Sequence, residues 1–173
     1  MRLTEEDRKI EERSDRIINL FNAFKGKNIG DAPGPIPPFT KWLNGVIISA
    51  KRGEVELEFE IRPEWGNPTG LLHGGMQCGL MDDAIGITTA TLGYEGFLIS
   101  IDFHIDYLGK AKIGEKIRVI GKIIREGKNI VNAISQIYKV DGKLIASGNA
   151  NLLKTKFKPD YVKEVDKIDN KDL

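Results

Sequence analysis

The sequence predicts an α+β fold: an antiparallel sheet wrapped around one long central helix, with a helical arm in front of it. Three observations predict it. The run Leu71–Tyr94 is nearly uncharged, holding only Asp82 and Asp83, so it reads as a helix apolar almost all round. Strand-like segments number two before that helix and four after it, with period-two alternation in Val55–Ile61, Leu98–Tyr107 and Lys116–Arg125. Turn residues join neighbouring segments, Lys51-Arg52-Gly53 early and Asp141-Gly142 late. Such a helix is satisfied only when a sheet curls around it and a second subunit completes the enclosure.

The elements follow in order. Thr4 with Glu5, Glu6 and Asp7 behind it predicts a helix start, with an N-cap and acids in the first turn. Ile17, Leu20, Phe21 and Phe24 then form one apolar stripe, and Gly26 supplies the stop. Four prolines between Pro33 and Pro38 predict an extended, non-helical stretch. Residues 1–38 are therefore expected to be an arm docked on a main domain of residues 39–156. Val46–Ala50 and Val55–Ile61 predict a hairpin, and the long helix should run from near Gly74 to about Gly93.

Four strands are expected next, in a meander: Leu98–Tyr107, Lys116–Arg125, Ile130–Val140 and Leu144–Leu153. The first alternates strictly, with Ile99, Ile101, Phe103, Ile105 and Tyr107 on one face and Ser100, Asp102, His104 and Asp106 on the other. Residues 157–173 are charged and expected to be a mobile tail.

Composition excludes several classes. With 26 Lys and Arg against 25 Asp and Glu, the 173-residue chain has a net charge of +1 and no global field to draw nucleic acid. The acidic, polar start does not resemble a secretory signal, and two adjacent carboxylates argue against a membrane span at 71–94. The single cysteine, Cys78, has no disulfide partner in the chain, which fits a reducing, cytoplasmic setting. Cys78 lies in an apolar helix without a cationic neighbour in sequence and reads as an inert thiol. His104 stands between Asp102 and Asp106, yet the chain has only two histidines and no metal-ligand spacing, so no metal or other cofactor is expected.

The segment Asn67-Pro-Thr-Gly-Leu-Leu-His73-Gly74-Gly75-Met-Gln-Cys-Gly-Leu-Met-Asp82 carries the chemistry. An Asn is followed six residues on by His-Gly-Gly, and an Asp lies nine residues after the His. Ile99-Ser100-Ile101-Asp102, Tyr107-Leu108 and Lys112-Ile113-Gly114 come later. Together these resemble the PaaI-type hotdog thioesterases over roughly residues 42–155, leaving the N-terminal arm outside. The resemblance implies a hotdog fold, acyl–coenzyme A (CoA) as substrate, and hydrolysis to free acid and CoA. It also implies catalytic roles for Asn67, His73, Gly74 and Asp82, with Gly75 and Ser100 near the substrate.

Physical chemistry bears on the same residues. A thioester carbonyl is activated when its oxygen receives a strong donor, and a helix N-terminus offers free N–H groups and a positive dipole end. Glycines at 74 and 75 let a ligand approach that backbone. An acid must then activate water or attack directly, and Asp82 is the candidate. It lies eight residues beyond Gly74, about 12 Å along one helix, so both cannot reach one carbonyl carbon. The working pair is expected from two copies, in a homodimer at least and a dimer of dimers beyond that.

Plainer readings stand beside these. Asp83 suits a salt bridge or an interface. His73 suits loop positioning, Asn67 a turn before Pro68, and Ser100 an ordinary strand position. Trp42, Trp65, Met76 and Met81 are candidates for lining an acyl channel. The alternative function is a non-catalytic acyl-CoA binding or sensing hotdog protein. The known regulators of that kind place a DNA-binding module first, and this arm has room for one long helix only.

Overall fold

The computed structural model describes residues 4–165 and Lys167. The first helix, α1 (Glu5–Ala23), starts as the sequence predicts. The Thr4 hydroxyl accepts from the Asp7 N–H at 3.1 Å, and the Asp7 carboxylate accepts from the Thr4 N–H at 2.9 Å. Two orphan donors of the first turn are thereby satisfied. Ile17, Leu20 and Phe21 are buried against the domain.

The proline-rich stretch departs from expectation at its end. A short helix, α2 (Pro38–Leu43), begins on the last proline of the series. Proline at the first helical position loses an N–H that would be unpaired there anyway, so Pro38 can open a helix while Pro37 before it stays extended. Asn44, at φ 53°, closes α2 in the left-handed region and turns the chain into the sheet.

The hairpin forms as β1 (Val46–Lys51) and β2 (Glu54–Glu60), followed by a 3-10 turn at Pro63–Trp65 and the long helix α3 (Gly74–Ala90). Four strands follow: β3 (Leu98–Tyr107), β4 (Lys116–Glu126), β5 (Ile130–Lys139) and β6 (Leu144–Lys154). All pairings are antiparallel, in the order β1-β2-β4-β5-β6-β3. The expected four-strand meander is thus corrected. Strands β4, β5 and β6 form one, but β4 pairs with β2 and β3 lies at the far edge against β6. Hairpin logic assumed that β3 and β4 are neighbours. The loop between them instead ties to the segment before α3, where Leu72 N–H donates to Ala111 O at 2.9 Å.

The sheet curls around α3, whose Leu80, Met81, Ala84 and Ile85 are fully enclosed. The closest approach is at Gly121 on β4. A Cβ there would stand 2.4 Å from Thr88 Oγ and 2.6 Å from Ala84 O, so the helix backbone rests where a side chain would otherwise be.

Strand β3 carries a second correction. Ser100 pairs with Leu152 and Asp102 with Asn151, which leaves Ile101 as an extra, bulged residue. The bulge breaks the strict alternation. Ser100 shares its face with buried Leu152, on the helix side, and so does Phe103 beyond the bulge, paired with buried Ala150. Ile99 and Ile101, expected to share a face with Phe103, are 46% and 59% exposed.

Of the tail, Asp160–Val165 forms a short helix, α4, where only mobile chain was expected; Asp166 and residues 168–173 lie outside the described residues. Among the described residues no helix is long and apolar enough to cross a membrane.

Candidate active site

The loop before α3 is built by hydrogen bonds from its own side chains. Asn67 Oδ1 accepts from the Thr69 N–H at 2.9 Å, the Thr69 hydroxyl at 2.7 Å and the Leu71 N–H at 3.2 Å. This Asx-type turn delivers the chain to His73, whose N–H donates to Trp65 O at 2.8 Å. His73 is the N-cap of α3, and its Nδ1 accepts from the Gly75 N–H at 2.9 Å. The imidazole therefore performs the capping job usually given to Ser or Asp. One consequence concerns Gly75, expected near the substrate: its N–H is already engaged. The Gly74 N–H has no acceptor among the described residues, and neither has the Met76 N–H, so Gly74 supplies the outermost open donor at this helix start.

Tyr107, at the end of β3, closes over the same point. Its hydroxyl donates to Gly74 O at 3.3 Å, and its ring lies 3.3 Å from the position a Gly74 Cβ would take. A side chain at residue 74 would press on that ring, which gives glycine a steric reason to be there.

Two turns along α3, Asp82 is exposed on the helix surface and Ser100 Oγ donates to its Oδ1 at 3.3 Å. The bulge at Ile101 makes this contact possible by turning Ser100 inward. Asp83 points elsewhere. It is half-buried under α2, where the Thr40 hydroxyl donates to its Oδ1 at 2.6 Å, and no cation pairs with it among the described residues. Burial pushes the Asp83 carboxyl up from 3.8 to about 6; the Thr40 hydrogen bond opposes this and the charge of Asp82 adds to it. The Cys78 thiol is likewise pushed up, by burial and then by Asp82, which keeps it in the inert thiol form.

Residues singled out in the sequence thus gather into two clusters within one chain. Asn67, His73, Gly74 and Gly75 form the donor end, and Asp82 with Ser100 forms the acid end. About 12 Å of helix separates them, by the rise over eight residues. Two of the channel candidates are placed otherwise: Trp65 and Met81 are core residues, fully buried. Tyr107 and Thr40 border the site without having been singled out for it. Thr40 escaped because a helix starting on a proline series has no apolar period to reveal it.

The sequence and the fold are similar to those of known proteins. The thioesterase superfamily family model matches residues 69–146, which hold both clusters apart from Asn67. Acyl-coenzyme A thioesterase 13 of Homo sapiens is 32% identical over 105 residues, covering 59% of this chain and 74% of that protein. Among solved structures, zebrafish thioesterase superfamily member 2 superposes with a TM-score of 0.65 at 26% identity, over 80% of this chain and 96% of that one. The PaaI protein of E. coli, from the phenylacetic acid degradation operon, shares the fold with a TM-score of 0.63 at 20% identity, over 67% of this chain and 87% of that one. With its sheet wrapped around α3 and its His-Gly-Gly at the helix start, this chain belongs to the thioesterase superfamily, in the PaaI-type hotdog branch.

Proposed function

We propose that this protein hydrolyses acyl-CoA thioesters to a free acid and CoA, at centres that two copies of the chain build together. The observation that carries this reading is the pairing of an open Gly74 N–H at the start of α3 with an exposed Asp82 on the same helix. A similarity to acyl-coenzyme A thioesterase 13 supports the substrate class.

In this reading the thioester carbonyl oxygen accepts from the Gly74 N–H, where the helix dipole favours the developing negative charge. Asp82 of the other copy takes a proton from water while the water oxygen bonds to the carbonyl carbon. Ser100 holds the Asp82 carboxylate and helps seat that water. The tetrahedral intermediate then collapses, the C–S bond breaks, and the leaving thiolate takes the proton from Asp82. In a second route the Asp82 carboxylate attacks the carbonyl carbon directly, the C–S bond breaks and CoA leaves as the thiolate; water then opens the resulting mixed anhydride, giving the free acid and restoring Asp82. Asn67 and His73 act by shaping the loop that presents Gly74.

Two features support the second copy. The two clusters are too far apart to serve one carbonyl. Among the described residues the outer edge of β3 is unpaired, and it exposes Ile99 and Ile101, an apolar margin of the kind a partner covers.

The test is thiol release from a panel of acyl-CoAs, followed by complementation. Gly74→Pro removes the donor, and Gly74→Ala is its control, since it adds the contact with Tyr107 but keeps the N–H. Neither Asp82→Asn nor Gly74→Pro should turn over substrate alone. Co-expressed, about half the dimers are mixed and each carries one intact centre, so activity returns to roughly a quarter of wild type. Mixed dimers confirmed by mass and no more active than their parents would exclude the shared site. Tight acyl-CoA binding without thiol release would make the protein a sensor.

A further inference from the structure

We propose that α2 is the acyl-selecting wall of this site, with Phe39 and Trp42 as the side chains that contact the apolar part of the acyl group. The inference rests on the hydrolase reading above and adds to it the residues that set selectivity.

The first observation is what α2 leaves uncovered. Phe39 and Trp42 are 46% and 45% exposed and stack on each other with ring centroids 5.8 Å apart. Two adjacent large apolar rings left half in water mark a contact surface.

The second is where that surface sits. Phe39 lies over α3 at Gly79, its ring 3.1 Å from the position a Gly79 Cβ would take. Gly79 precedes Asp82 by three residues, so the two share a helix face and stand about 4.5 Å apart along the axis. Gly75 and Gly86 extend that face in both directions, and it carries little beyond backbone and the Asp82 carboxylate. Beside Asp82 there is therefore a bare floor, with β3 and Ser100 on one flank and α2 on the other. An acyl group whose carbonyl carbon reaches Asp82 has its first carbons over this floor, against the Phe39 ring.

The third is rigidity. The Thr40 hydroxyl pins α2 to Asp83 at 2.6 Å, next in sequence to Asp82. The Arg62 guanidinium lies over both Trp42, at 4.8 Å, and the buried Trp65, at 4.3 Å, whose ring centroids are 6.1 Å apart. The wall is thus fixed before substrate arrives, which is what selection by shape requires. Thr40 and Asp83 are positioning residues in this scheme, acting through α2. Phe39, Thr40 and Trp42 all precede the matched segment 69–146, so selectivity is set outside the motif that defines the family.

The full chain is tested with octanoyl-CoA, acetyl-CoA and the non-hydrolysable thioether S-octyl-CoA. Phe39→Ala should lower the octanoyl-to-acetyl ratio of kcat/KM at least tenfold and weaken S-octyl-CoA relative to CoA by a similar factor. Trp42→Ala, an independent variant, should move both in the same direction. Thr40→Val should lower the ratio by a smaller factor, and Thr40→Ser should restore it. Folded Phe39→Ala and Trp42→Ala with both ratios unchanged overturn the proposal. A lost ratio accompanied by subunit dissociation in sedimentation also overturns it, giving α2 to the subunit contact instead. If wild type releases no thiol from either thioester, the hydrolase reading fails, and the thioether affinities still decide the wall.

Discussion

The two ends of α3 are treated in opposite ways. At the C-terminal end the chain closes its own last carbonyls, with the Thr91, Leu92 and Gly93 N–H groups donating to Thr88, Thr89 and Ala90 O, each at 3.1 Å. Helix α1 covers the carbonyls just beyond: Ser14 Oγ donates to Thr91 O at 2.6 Å and Arg13 to Gly93 O at 3.0 Å. Thr91 Oγ in turn accepts from the Gly53 N–H at 2.9 Å, and Thr91, Leu92 and Gly93 are buried. At the N-terminal end only the Gly75 N–H is capped, by an exposed His73, and the Gly74 N–H stays open. A helix terminus closed by protein is a stability element, whereas one left open by the same protein is available to a ligand.

The strongest attempt to break this contrast is at the open end. Asp82→Asn should keep the fold and lower kcat at least about a hundredfold, a barrier rise of roughly 2.7 kcal/mol. Asp83→Asn should cost far less, because Asp83 turns toward Thr40. Steady-state kinetics with circular dichroism checks both, and a larger loss for Asp83→Asn would overturn the assignment of Asp82.

The closed end should respond in stability instead. Gly93 adopts φ +77°, and a Cβ there would lie 2.1 Å from the backbone oxygen of Ile10. Gly93→Ala should therefore destabilise by at least about 2 kcal/mol, from left-handed strain and displacement of α1. In a chain of this size that lowers Tm by roughly 4–8 °C. Turnover per folded molecule well below wild type would show that the two ends are not separable.

Asp83 offers a pH test between the ends. Its carboxyl titrates near 6 in the fold against 3.8 ordinarily, so between these values the native state holds more protons than the unfolded one. Stability must then fall as pH rises through that window and remain lower above it. Asp83→Asn keeps an oxygen for Thr40 and carries no charge. It should melt above wild type at pH 7.5 by the equivalent of about 2 kcal/mol, with the gap closing near pH 4. Calorimetry at both pH values checks this, and a gap independent of pH would remove burial as its cause.

The smallest effect is expected at Cys78, whose thiol is held protonated. Cys78→Ala should retain turnover within about tenfold. Abolished activity with a normal melting curve would bring a thiolate into the mechanism.

Much of this was legible because the signals were local. The Thr4 cap, the hairpin turn at Gly53 and the helix start at Gly74 each depend on a few consecutive residues, and each lies where the pattern put it. The turn and cap from Asn67 to Gly75 were legible for the same reason, as one continuous segment. What failed depended on distant parts of the chain. The place of β3 beside β6 is decided by which edge is left after β2 takes β4, and alternation within one strand carries no trace of that. Helix α2 has six residues, too few for a periodic stripe, and it is held by Asp83, far along the chain.

Ile101 gives β3 a property that its other positions lack. Because it is the residue without a cross-strand mate, the segments on either side of it already have the facing that a nine-residue strand would have. Deleting it would leave Leu98 and Ser100 toward α3 on one side, and Phe103, Ile105 and Tyr107 toward it on the other. Deleting Ile99 instead would reverse the facing of Leu98, and deleting Phe103 would reverse every residue to one side of the cut. In sequence length, then, β3 has one expendable residue, adjacent to the serine that touches Asp82. A chain of this kind can lose that residue and keep Ser100 facing Asp82, whereas loss of Phe103 would turn over either Ser100 or Tyr107 without altering the residue itself.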